Sequence, residues 1–250
     1  MDRMTPNLFV LGASKCGSTS LHEILGQHPD IHACYSKEPT FFNWPFQVTR
    51  NPIEYFHQFD SPKRYRLDSS TAYLINPMTP RVLYSLFPEA RCIVSLRNPK
   101  ARAHSLYQNM RRYGWEDIAT FREALRAEES RYTSKEFWQT CKWDFWQFLY
   151  CRSTMYDEQL ERYIKLFGRD QLFAITLAEL SLDPLATTQR ILRFLDLDPE
   201  PARDFDFSVR HRNSSYEKYD ADSDQIMSLA FHGLVERTEE IVGRALDWSV

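Results

Sequence analysis

One stretch constrains this chain more than any other: Phe9-Val10-Leu11-Gly12-Ala13-Ser14-Lys15-Cys16-Gly17-Ser18-Thr19-Ser20. An apolar run of this length reads as a buried strand, and a helical pattern resumes at Thr19. Strand, glycine turn and helix in that order aim backbone N–H groups and the positive end of a helix dipole at one point. That suits a phosphate or a sulfate. Downstream the same alternation repeats. Residues 7–11, 64–68, 91–96 and 172–176 read as strands, and residues 31–42 as extended or irregular. Residues 19–27, 80–87, 99–113, 120–129, 156–167, 185–195 and 223–246 read as helices. Asp183-Pro184 supplies an N-cap and a first-turn proline, and Gly168 a helix stop. Strands alternating with helices predict an α/β fold with a central, mainly parallel sheet flanked by helices.

The chain has 250 residues, 43% of them hydrophobic, which fits one domain spanning 1–250. A net charge of −3 gives no global basic field for nucleic acid, so anion binding must be local. No apolar run is long enough for a membrane span, and Met1-Asp2-Arg3-Met4-Thr5-Pro6 lacks the apolar core of a leader, so a cytoplasmic location is expected. Five scattered cysteines without a C-x-x-C pair predict neither zinc nor a disulfide framework. Cys16 lies inside the loop, where a helix dipole can lower a thiol pKa; it reads as a structural residue nonetheless.

The spacing Gly12-x-x-x-x-Gly17 is that of a nucleoside-triphosphate loop, but Ser18 stands where such a loop carries lysine, and the lysine is upstream at Lys15. The strand at 91–96 ends in Arg97 rather than in the aspartate that would hold magnesium. A fixed guanidinium there suits a second phosphate, and Ser105, eight residues on, can add a hydroxyl to the same anion. A small-molecule kinase predicts the two groups that are missing, and a non-catalytic nucleotide-binding protein predicts loss of Lys15 or of a base.

Together, the loop and Arg97-Asn98-Pro99-Lys100-Ala101-Arg102-Ala103-His104-Ser105-Leu106-Tyr107 resemble the sulfotransferases that use 3′-phosphoadenosine 5′-phosphosulfate. Tyr156-x-x-x-Leu160-x-x-Tyr163, Glu179-Leu180, Asp183-Pro184, Phe194-Leu195-Asp196-Leu197 and the basic segment Arg210-His211-Arg212-Asn213-Ser214-Ser215 follow in the family's order. The resemblance implies the sulfotransferase fold, with its loop like that of the nucleotide-binding proteins, and a reaction that needs no metal. It places Lys15, Cys16, Gly17, Ser18, Thr19 and Ser20 at the 5′ end of the donor. Arg97 and Ser105 fall at its 3′-phosphate, with Arg210 and Arg212 as a cap. Lys15 then stabilises the leaving phosphate, and the second product is adenosine 3′,5′-bisphosphate (PAP).

In carbohydrate-type members the extended segment after the first helix carries a glutamate followed by paired aromatics. Here it reads Lys37-Glu38-Pro39-Thr40-Phe41-Phe42, which makes Glu38 the candidate base. A free glutamate is a weak base at neutral pH, and burial beside the aromatic pair would raise its pKa. In an extended segment Lys37 would point to the opposite face. Asp68 is the runner-up base and His32 the nearest histidine. The carbohydrate-type segment near Asp68 carries a lysine that Asp68-Ser69-Ser70-Thr71-Ala72 lacks. Between Phe137 and Tyr150 the chain holds seven aromatics, which read mainly as packing residues. The sharper reading makes Trp143 and Trp146, with Phe41, Lys37 and Asp68, part of an acceptor pocket. Lys142, Asp144 and Gln147 among the rings suit a polar acceptor such as a saccharide or a polar natural product.

Overall fold

The computed structural model describes residues 5–208 and 219–249. Among them, five parallel strands form one sheet: β1 (Leu8–Gly12), β2 (Ile31–Ala33), β3 (Tyr65–Asp68), β4 (Arg91–Leu96) and β5 (Leu172–Thr176), in spatial order β2-β3-β1-β4-β5. The helices are α1 (Ser18–Gly26), α2 (Pro52–His57), α3 (Ala72–Ile75), α4 (Thr79–Leu86), α5 (Pro99–Arg112), α6 (Phe121–Arg126) and α7 (Glu128–Thr133). They continue as α8 (Lys135–Thr140), α9 (Tyr156–Phe167), α10 (Leu177–Leu182), α11 (Pro184–Phe194), α12 (Ala221–Ala230) and α13 (Leu234–Val242).

The sheet is buried on both faces, which is why the central strand β1 and most of β4 are apolar rather than alternating. Phe9, Leu11, Cys92 and Val94 pack with Tyr73, Tyr156, Leu160 and Tyr163 on one side. Leu8, Val10 and Ile93 pack with Leu21, Ile24, Ile191 and Leu192 on the other. Successive side chains point to opposite faces, so one strand feeds both layers. From β1 the chain runs out to β2, returns through β3, and crosses to β4 and β5 on the other side of β1. Strand order thus reverses beside β1, and the ligand crevice of an open parallel sheet lies at the carboxyl ends of the strands there.

Two expected helices are each split. Residues 120–129 span α6 and the start of α7, which meet at Ala127. The C-terminal pattern breaks at Gly233, whose φ of +66° is outside helical geometry, giving α12 and α13. Four short helices, α2, α3, α8 and α10, were not expected. Two carried local signals: Asn51 caps Ile53 N ahead of Pro52, and Thr176 with Glu179 forms a capping box at α10.

Candidate functional site

A cavity of about 500 Å³ opens at the carboxyl ends of β1, β3, β4 and β5. The β1–α1 loop forms its floor. Its backbone turns through positive φ at Gly12 (+137°), Lys15 (+71°) and Gly17 (+81°). Glycine suits the last of these because its φ is left-handed; a Cβ there would also lie 2.8 Å from the Leu177 tip, which would have to move. Helix α1 opens on Gly17 with no side-chain cap and no acidic residue in its first turn, leaving its positive end to face the cavity. The loop is tied down from beneath. Ala13 N donates to Ser95 O at 2.7 Å, Ser95 Oγ donates to Cys16 O at 2.5 Å, and Arg102 Nε donates to Ser14 O at 3.2 Å.

Arg102 is completely buried. Its bonds go to the Ser14 carbonyl and the hydroxyls of Ser153 and Thr154, none of them charged, and its Nη2 has no hydrogen-bond partner. Burial lowers its pKa accordingly. A guanidinium left without a bonded carboxylate, directly under an anion loop, adds positive potential where a ligand phosphate would sit.

Lys15 lines the cavity and donates from Nζ to Asn109 Oδ1 on α5, 3.0 Å away. Arg97 lines it at the end of β4. Glu38 enters from the segment after β2. Its own φ is +62°, so the chain is kinked there rather than extended. Both its oxygens are held: Thr71 N donates to Oε2 at 2.7 Å, Thr71 Oγ1 lies 3.0 and 3.1 Å from the two oxygens, and Lys37 Nζ donates to Oε1 at 2.6 Å. Thr71 Oγ1 is also 3.0 Å from Ser14 Oγ, which links the carboxylate to the anion loop.

A third wall comes from the end of α5 and from residues 143–147. Tyr113, Trp115 and Trp143 form a continuous stack, with ring centroids 4.8 and 4.3 Å apart. All three line the cavity, together with Asp144 and Gln147.

The sulfotransferase domain profile matches residues 5–233. The chain belongs to the sulfotransferase family. It is an enzyme of the sulfuryl-transferring class, with the central parallel sheet and flanking helices of that family. A crystal structure of a sulfotransferase from Alicyclobacillus acidocaldarius superposes with a TM-score of 0.80 at 30% identity, covering 97% of each chain. Sulfotransferase STF9 from Mycobacterium avium shares the fold at 13% identity, with a TM-score of 0.57 over 94% of this chain and 77% of that one. Bifunctional heparan sulfate N-deacetylase/N-sulfotransferase 1 of Xenopus laevis is 26% identical over 202 residues, which is 76% of this chain. The human protein of that name is 25% identical over the same length. This sulfotransferase spans 22% of the length of either relative.

In this sulfotransferase Lys15, Gly17, Ser18, Thr19, Ser20, Lys37, Glu38, Arg97 and Trp143 all line one cavity. Several expected positions lie elsewhere. The Cys16 side chain is buried under the loop, and desolvation pushes its thiol up to about 11, which overrides the helix-dipole effect. Lys37 does not take the opposite face from Glu38; the kink at Glu38 folds the two into an ion pair. Phe41 stacks on Tyr55, 4.4 Å between centroids, and belongs to the core. Asp68 is fully buried and accepts from Tyr55, Tyr73 and Ser70, so it supports the cavity wall from behind. Trp146 packs on Phe145 and Trp138, off the cavity lining. His32 bonds the Gln58 carbonyl. Ser105 is buried on α5 and is not a lining residue. Arg210 and Arg212 fall outside the described residues.

Sequence reading missed Thr71, Arg102, Asn109, Tyr113 and Trp115. Asn109 was reachable, because it lies one turn beyond Ser105 on the same helical face. Arg102 sits inside the quoted motif. Among the described residues no helix is long and apolar enough to cross a membrane.

Proposed function

We propose that this enzyme transfers a sulfuryl group from 3′-phosphoadenosine 5′-phosphosulfate to a hydroxyl or amine of a saccharide or small polar acceptor, releasing PAP, with residues 1–250 acting as one domain. The observation that carries this reading is the convergence of Lys15, Arg97, the uncapped start of α1 and Glu38 on one cavity. The cradle fits such a donor: α1 opens on the cavity without a side-chain cap, and cations stand beside the loop and at the end of β4. The names of the heparan sulfate N-sulfotransferases support a saccharide amine or hydroxyl as acceptor.

When bound, the donor supplies the sulfuryl group and a phosphate leaving group. The chain supplies position and charge. Loop N–H groups and the Ser18, Thr19 and Ser20 hydroxyls hold the 5′ end. Arg97 takes the 3′-phosphate from the end of β4, and Ser105, the second group the family resemblance assigns to that phosphate, sits buried on α5. Lys15 Nζ stabilises negative charge on the leaving oxygen, exchanging its bond to Asn109 for that one. Glu38 takes the acceptor proton at a carboxylate oxygen, with Thr71 fixing the orientation of the group.

Calorimetric titration with PAP, against adenosine 5′-monophosphate and ATP with magnesium, tests the reading. Binding that requires the 3′-phosphate is expected; preference for ATP with magnesium overturns it. Lys15→Ala should abolish transfer of labelled sulfate while the circular dichroism spectrum stays that of the parent. An active Lys15→Ala enzyme would remove Lys15 from the mechanism.

A further inference from the structure

The cavity has a wall that the donor does not explain. Tyr113, Trp115 and Trp143 stack ring on ring, yet Tyr113 is 61% exposed and Trp143 38% exposed. Core packing accounts for their neighbours differently: Phe145, Phe148 and Tyr150, from the same aromatic segment, are buried. Rings left facing a cavity keep apolar surface in water, a cost that a ligand face can relieve. The wall adjoins the group that meets Lys15. Tyr113 follows Asn109, the partner of Lys15, by one turn of α5, about 6 Å of rise.

Polar groups border the stack. Gln147 donates only a long 3.4 Å bond, to Ser14 Oγ. Asp144 accepts one bond at each oxygen, from Asn43 Nδ2 at 3.0 Å and from Trp146 N at 3.2 Å, and a carboxylate has capacity for more. The charges of the lining are divided. Lys15 and Arg97 belong to the loop and the end of β4, and Lys37 is spent on Glu38, whereas the charged lining residue beside the stack is the carboxylate of Asp144. A sulfate or uronate placed there would meet the buried carboxylate of Asp144, while the neighbouring cations Arg111, Arg112 and Lys142 are exposed outside the lining and Lys142 is paired with Asp117, an arrangement that selects against an anion.

We propose that the Tyr113–Trp115–Trp143 wall with Asp144 and Gln147 is the acceptor subsite, built for a pyranose ring that is uncharged or carries an amine, and that it rejects polyanionic glycans. This rests on the sulfuryl-transfer reading above. The ring stacks on the aromatic wall while its hydroxyl or amine hydrogens bond Asp144 and Gln147, and the reacting group is directed toward Glu38. The chain therefore differs in acceptor charge from what the names of its heparan sulfate relatives describe.

The test measures transfer of labelled sulfate by the full chain to three probes: maltotriose, the fully de-N-acetylated chitosan trimer, and a hexasaccharide of alternating uronate and N-acetylglucosamine. Wild type should use one or both of the first two in preference to the third. Trp143→Ala should raise acceptor KM about tenfold with PAP affinity unchanged, and Trp143→Phe should restore most of it. Asp144→Asn should narrow the preference against the uronate probe. Preference of wild type for the uronate hexasaccharide, an unchanged KM in Trp143→Ala, or no transfer to either uncharged or amine probe by an enzyme that binds PAP overturns the proposal. Failure to bind PAP at all would instead count against the sulfuryl-transfer reading beneath it.

Discussion

At the scale of single residues, the site depends on how a few charges are held. Glu38 is fixed by two bonds from Thr71 and an ion pair with Lys37, and no ligand is needed to orient it. A glutamine keeps the shape and the Thr71 bonds but cannot take a proton. Glu38→Gln should therefore lower kcat about 10²-fold while calorimetry finds PAP affinity retained. Unchanged turnover would move the base elsewhere. Arg102 makes a different kind of contribution. Removing a buried guanidinium relieves its desolvation but strips a bond from the Ser14 carbonyl of the anion loop. Arg102→Met should leave the melting temperature of the free protein within a few degrees of wild type. The PAP-induced rise should shrink markedly, by more than the rise given by adenosine 3′-monophosphate. Equal losses for both ligands would reduce Arg102 to a packing residue. The electrostatic context of Arg102 is invisible in sequence, because one arginine in a helix reads like any other until its neighbours are known.

At the scale of elements, the β1–α1 junction is where local sequence and function coincide. Gly17 serves both as N-cap of α1 and as the turn that brings Leu177 of α10 close. Alanine there must adopt φ near +81° and set a Cβ 2.8 Å from Leu177 Cδ1. The leucine tip can swing away; the backbone strain stays. Gly17→Ala should cost about 1 kcal/mol in urea unfolding and weaken PAP binding, because the first turn of α1 shifts with it. Equal PAP affinity in the variant would mean that the loop tolerates displacement. Helix α5 has a larger job. It starts just after Arg97, meets Lys15 through Asn109 and is capped by Tyr113, so one rod spaces Arg97, Lys15 and the aromatic wall. Its limits were legible from Asn98-Pro99 at the start; what its faces touch was not.

At the scale of the whole molecule, three buried titratable groups shape stability against pH. Burial raises Asp68 and Asp144 from 3.8 to about 6 and lowers His22 from 6.5 to about 4. Between pH 5 and 6 the folded chain holds more protons than the unfolded one at each aspartate, so both make stability fall as pH rises. His22 is neutral when folded and protonated when unfolded, so it makes stability rise. Each aspartate keeps on average about three-quarters of a proton in the fold over that window and unfolded His22 nearly a whole one, so these three groups alone leave a net fall of about 0.8 kcal/mol between pH 5 and 6. Urea unfolding at pH 5 and pH 6 measures it. His22→Gln should steepen the fall, and Asp68→Asn should flatten it; an unchanged His22→Gln slope would show the histidine to titrate as in the unfolded chain, and a shallower one would show it held charged in the fold.

The sequence alone determined most of the strand-and-helix alternation and the glycine turn between β1 and α1, and it singled out Lys15, Arg97 and, through the family resemblance, Glu38, which the fold places on one cavity. These rest on apolar runs, glycines and caps, which act over a few neighbouring residues. Tertiary structure decided which aromatic residues became wall and which became core, why Asp68 stands behind the site, and that Lys37 folds onto Glu38. It also joined Lys15 to Asn109 across 94 residues and Ser14 to Gln147 across 133. Such pairings follow from how helices settle on both faces of the sheet, and a side chain's exposure is set by those distant partners rather than by the residues beside it.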